Sequence, residues 1–89
     1  MTSRTTMRFR NDLRALPAEV RKQAAEAYKL FLDNPRHPSL QFKQVHATEP
    51  IYSVRISRNY RAVGVLLGQE MLWFWIGAHG DYEKLLRGL

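Results

Sequence analysis

The apolar positions of the chain change period once. Leu13, Leu16, Val20, Ala24, Ala27 and Phe31 recur every three or four residues, the spacing that lines one face of an α-helix. Arg21, Lys22, Glu26 and Lys29 fall mostly off that stripe, so the spacing predicts an amphipathic helix over residues 17–33. Pro17 suits the first helical position, where no amide donor is needed. Asn34-Pro35 is a stop signal. The run NDLRAL ahead of the helix predicts a short helical turn. TMRFR, residues 6–10, alternates weakly, as an edge strand does.

Beyond Leu40 the period falls to two. LQFKQV (40–45) alternates, and so does IYSVRIS (51–57), with Tyr52, Val54 and Ile56 on one side and Ser53, Arg55 and Ser57 on the other. YRAVGVLL (60–67) follows, then a turn at Gly68, Gln69 and Glu70, then MLWFWIG (71–77). The last run does not alternate, which predicts a strand covered on both faces and central in its sheet. GDYEKLLRGL closes the chain with one helical turn over 81–87. The expected architecture is a single α+β domain, residues 1–89, with N-terminal helices packed on a mainly antiparallel sheet of about four strands.

Composition narrows the function. Fourteen Lys and Arg against eight Asp and Glu give a net charge of +6, and ten of the fourteen are arginine. Arginine presents a planar fork that matches phosphate oxygens, which lysine cannot do. A basic balance of this kind favours polyanionic partners, nucleic acid first among them; a basic surface without a ligand is the plainer reading. With no cysteine, disulfides and thiolate metal sites are excluded. His37, His46 and His79 match no metal-ligand spacing, so neither metal nor cofactor is expected. The start MTSRTTMRFRND has no apolar leader, and MLWFWIGA falls far short of the roughly 20 residues of a membrane helix. The expectation is a soluble cytoplasmic protein with no membrane partner.

The chemistry concentrates in two places. In IYSVRISRNYRAVGV a three-residue turn, Ser57, Arg58 and Asn59, places Asn59 in the left-handed region and pairs Ile56 with Tyr60. Arg55 then stands across from Arg61. Facing like charges cost about 1 kcal/mol or less, and a bound anion would offset that. A two-residue turn, Arg58 and Asn59, puts the two arginines on opposite faces instead. In IGAHGDY the end of the last strand lies near the start of its antiparallel neighbour, bringing His79 within reach of Arg61. Two arginines, a histidine and Tyr82 at one sheet edge suit RNA cleavage. A base takes the 2′-hydroxyl proton, the leaving 5′-oxygen regains one, and fixed cations hold the phosphate charge. His79 is the residue type for proton transfer near neutral pH. Tyr82 suits base stacking or phosphate orientation, and Arg58, Lys43 and His46 complete the candidate RNA contacts. The plainer readings make His79 a strand terminus, the arginines surface charges, Tyr82 a packing residue and Trp73 and Trp75 core.

LPAEVRKQAAEAYKLFLDNP, PSLQFKQV, YSVRISRNYRAVGV and WFWIGAHGDYEKLL, in that order, resemble the RelE/ParE superfamily of bacterial type II toxins. The resemblance runs from about residue 6 onward, and its specific parts are the Y-x-x-R-I…Y-R hairpin and the terminal I-G-x-H-x-D-Y. It implies a cognate antitoxin that wraps the domain. It also implies a RelE-like, metal-independent endoribonuclease that cuts messenger RNA on the ribosome. By this resemblance Arg61 opens the family's Tyr-Arg strand, Arg55 matches a basic position on the preceding strand, and His79 matches a position held by Arg or His. Ser53 stands where a further lysine is expected, and no carboxylate is placed as base. ParE-like members share the fold and poison DNA gyrase, which is the alternative function. A catalytically inactive binding protein of the same fold is the third.

Overall fold

The computed structural model describes residues 1–89. Strand β1 (Thr2–Thr5) leads into helices α1 (Met7–Arg14) and α2 (Ala18–Asp33). A 3-10 turn (Pro38–Leu40) precedes β2 (Lys43–Gln44), β3 (Ile51–Ser57), β4 (Tyr60–Leu67), β5 (Glu70–Ala78) and α3 (His79–Gly88). The strands form one five-stranded sheet in the order β1-β5-β4-β3-β2. Only β1, which runs parallel to β5, departs from antiparallel pairing. The fold is therefore α+β as expected, with a mixed sheet and one strand more. No helix is long and apolar enough to cross a membrane.

The extra strand overturns one expectation. The chain's first strand is Thr2–Thr5, and the run 6–10 belongs to α1 instead. The Thr6 hydroxyl accepts the Phe9 amide at 3.1 Å and caps the helix. Phe9 is buried while Met7 is exposed, and Phe9 and Leu13, four apart, both pack on the core. Five residues of weak alternation fit either period, and the capping threonine decides for helix. Ser3 fastens β1: its hydroxyl accepts the Trp73 indole N–H at 2.8 Å, and its carbonyl accepts the Tyr28 hydroxyl at 3.2 Å.

The core lies between the two N-terminal helices and one face of the sheet. Val20, Ala24 and Phe31 of α2 are buried, as their spacing predicts. Phe31 meets Phe42 and Trp73 edge-on, with ring centroids 5.2 and 5.3 Å apart. The expected strand over 40–45 shrinks to Lys43–Gln44. Leu40 is instead the buried end of the 3-10 turn, and Gln41 turns the chain with φ at +46°.

The apolar run of β5 has a local cause besides cover on both faces. Val63 pairs with Trp75 but Gly64 pairs with Trp73, so Phe74 is the extra residue of a bulge. The bulge resets the phase: Met71 and Trp73 face the core, and so does Ile76 three residues later. Gly64 makes room, since a Cβ there would lie 2.8 Å from the Leu72 carbonyl oxygen. β5 is interior but not central, because β4 holds the middle of the sheet. The terminal helix is longer than the single turn expected. It begins at His79, whose amide donates to the Asn59 carbonyl at 2.8 Å.

Candidate functional site

The second face of the sheet carries the candidate chemistry, and pairing puts it there. Directly opposed residues share a face. Lys43 opposes Ser53, Ser53 opposes Val63, and Val63 opposes Trp75, forming one row. Arg55 opposes Arg61, and Arg61 opposes Gly77, forming the next. The Arg55–Arg61 register is one of the two alternatives, but its origin differs from both. The ladder pairs Ser57 with Tyr60, so the turn is Arg58-Asn59, and the register shifts between Arg55 and Ser57. Ile56 is the extra residue of a bulge rather than the partner of Tyr60, and Asn59 keeps a negative φ. A two-residue turn plus one bulge gives the facing that a three-residue turn was expected to give.

Helix α3 lies across this face. Tyr82 is only 5% exposed, and its hydroxyl lies 3.1 Å from the Ser53 hydroxyl, which is itself fully buried. Ser53 thus has a structural partner at the position where a lysine was expected. The Arg61 guanidinium carbon lies 5.4 Å from the centre of the Tyr82 ring, a cation–π arrangement. Arg61 Nη2 donates to the Gln41 amide oxygen. Nη1 is buried and has no partner. Nη1 is closed to solvent, so an anion would reach this half-buried guanidinium from another side.

His79 also stands beside this tyrosine, its ring 6.1 Å from that of Tyr82. Its side chain is 58% exposed and open to solvent. Nε2 lies 2.7 Å from Glu83 Oε1, an i,i+4 pair within α3. Glu83 is a carboxylate that the sequence reading does not single out. The spacing signal exists, but it acts only if the helix starts at His79 rather than Asp81.

A family model of the ParE-like toxin domain matches residues 18–84, from the start of α2 into α3. The chain belongs to the ParE-like toxin family. The toxin domain is similar in fold to RelE in the RelB-RelE antitoxin–toxin complex of Methanococcus jannaschii, with a TM-score of 0.73, 16% identity, and 91% of this chain and 95% of that one covered. It is also similar to a YoeB/ParE toxin from Agrobacterium tumefaciens, at a TM-score of 0.69 and 14% identity over 89% and 99% of the two chains. The isolated E. coli RelE toxin matches with a TM-score of 0.65 and 20% identity over 99% and 98%. No curated protein sequence matches the chain.

The toxin domain distributes its remaining candidates unevenly. Arg55 is half-buried and also borders a 280 Å³ groove beside Gln23 and Glu26 of α2. Lys43 is exposed on the Ser53 row, and Arg58 is exposed at the hairpin tip. His46 is engaged elsewhere: Nδ1 accepts the Thr48 and Glu49 amides, and Nε2 lies 3.1 Å from the Leu89 carbonyl oxygen. With Nδ1 accepting, the proton sits on Nε2. His46 therefore ties the end of α3 to the loop before β3. No three His, Asp or Glu side chains are grouped to hold a metal ion.

Proposed function

We propose that this toxin domain is an endoribonuclease that cuts messenger RNA on the ribosome and is held inactive by a cognate antitoxin. The observation that carries the reading is the half-buried Arg61 guanidinium lying beside the same tyrosine ring that His79 approaches. A phosphodiester placed there meets Arg61, with Arg55 across the ladder, and both stabilise charge on the phosphate oxygens as the 2′-oxygen attacks. When His79 donates Nε2–H to Glu83, Nδ1 is the atom left to take the 2′-hydroxyl proton. Glu83 then stabilises the imidazolium, which can return a proton to the leaving 5′-oxygen. Lys43 and Arg58 extend positive charge along the strand path on either side. The net charge of +6 supports a polyanionic substrate, and the RelB-RelE complexes among the structural matches support an antitoxin partner. Such a protein works in the cytoplasm, where ribosomes are.

Primer extension on ribosome-bound message tests this directly. Codon-positioned cuts are expected with the wild type and are lost in folded Arg61→Ala and His79→Ala. Full cutting by both variants overturns the assignment. Gyrase inhibition is the second reading, favoured by the ParE-like description of the family. It predicts loss of supercoiling activity with messages left intact.

A further inference from the structure

Gln41 is the one residue other than glycine with a positive φ, at φ 46° and ψ 44°. A side chain costs strain in that region, and glycine or asparagine would fill it at less cost. The neighbours explain why the chain must turn there. Leu40 is 1% exposed, and Phe42 packs on Phe31 and stacks on Tyr52 at 4.9 Å. Both flanking residues are committed to the core, and the Gln41 amide returns to the Pro38 carbonyl to close the 3-10 turn. None of this requires a glutamine. What does use the side chain is Arg61, whose Nη2 donates to the Gln41 amide oxygen.

We infer that Gln41 is a positioning residue for Arg61, fixing the orientation of the guanidinium beside Tyr82 so that its charge stays where a substrate phosphate docks. The inference rests on the phosphate-binding reading of Arg61 given above. Two contacts orient the fork. The Tyr82 ring lies within 5.4 Å of its carbon, and Gln41 takes Nη2, leaving Nη1 buried without a protein acceptor. The neutral amide matters as much as its position. A carboxylate at residue 41 would hold the same arm equally well, yet it would cancel the charge that a phosphate needs. Sparsely populated backbone conformations cluster where a site is preorganised.

Two variants separate this role from a structural one. Gln41→Gly relieves the backbone and releases Arg61. Gln41→Glu keeps the arm held and removes the net positive charge. The readouts are thermal unfolding, single-turnover cleavage of ribosome-bound message, and the nitrogen-15 Nη signals of Arg61, assigned by their loss in Arg61→Lys. Gln41→Gly is expected to melt no lower than the wild type, to show averaged Nη signals and to cleave at least about tenfold more slowly. Gln41→Glu is expected to keep distinct Nη signals and still lose cleavage by a similar factor. Where Arg61→Ala has lost cleavage, a glycine variant with wild-type cleavage overturns the inference whatever its Nη signals do. So does one whose cleavage falls while those signals stay distinct, and so does a fully active glutamate variant. If Arg61→Ala cleaves like the wild type, the nuclease reading falls instead, and the Nη signals alone decide whether Gln41 holds Arg61.

Discussion

The hydroxyls of Ser53 and Tyr82 lie 3.1 Å apart in the buried seam between β3 and α3. The contact joins residues that are 29 positions apart, and it seats the helix over the second face of the sheet. Tyr82→Phe and Ser53→Ala should each lower stability by about 1 kcal/mol, since each leaves one buried hydroxyl without its partner. The double variant should cost less than the two single losses added together. Urea unfolding of the four proteins gives the answer, and strict additivity would show that the hydroxyls do not interact.

Arg55 faces Arg61 across the β3–β4 ladder, where like charges repel. Without a bound anion, Arg55→Ala should be neutral or stabilising by up to about 1 kcal/mol. Inorganic phosphate should raise the melting temperature of the wild type more than that of the variant, because an anion that binds the folded state stabilises it. Equal rises at matched ionic strength would show that the pair holds no phosphate.

Glu83 pairs with His79 at 2.7 Å in an exposed position, with side-chain exposures of 58% for the histidine and 54% for the glutamate. A pair so open contributes little to folding, on the order of 1 kcal/mol at most. Glu83→Gln should therefore fold like the wild type. Its cleavage rate should drop about tenfold or more, because the amide accepts from Nε2 without stabilising the imidazolium. An unchanged single-turnover rate would remove Glu83 from the mechanism.

Gly64 sits beside the β4–β5 bulge, and a Cβ there would come within 2.8 Å of a backbone oxygen that cannot move aside. Gly64→Ala should destabilise by about 1–3 kcal/mol. Gly80 in α3 has nothing within 4 Å of the same virtual atom, so Gly80→Ala should stabilise by up to about 1 kcal/mol. Thermal melts that rank the two variants the other way would contradict the register of the bulge.

The path from sequence to site divides at particular residues. The helix over 17–33 is legible because Val20, Ala24, Ala27 and Phe31 repeat at three- and four-residue spacing for about three turns, and it forms over Ala18–Asp33, while Leu13 of the same stripe falls in α1. The strands at 51–57 and 60–67 were legible for the same reason at period two. The run 6–10 fits either period because five residues contain less than two helical turns, and the cap at Thr6 acts through a single hydrogen bond. The strand at 43–44 is shorter than its alternation predicts because Leu40 is held by the core, not by a ladder.

By itself the sequence determined the α+β class, the helix-then-hairpin order, the excess of arginine and the opposition of Arg55 to Arg61 as one of two registers. Those follow from local periods and charge counts, which need no knowledge of distant contacts. Tertiary structure alone decided that a bulge at Ile56 sets the register, that Thr2–Thr5 pairs with β5, and that α3 covers the second face. It also decided that Gln41 and Glu83 stand beside Arg61 and His79. Each of these depends on where a side chain ends after the chain has closed on itself. A hydrogen bond spanning 20 residues, as between Arg61 and Gln41, leaves no period in the sequence to announce it.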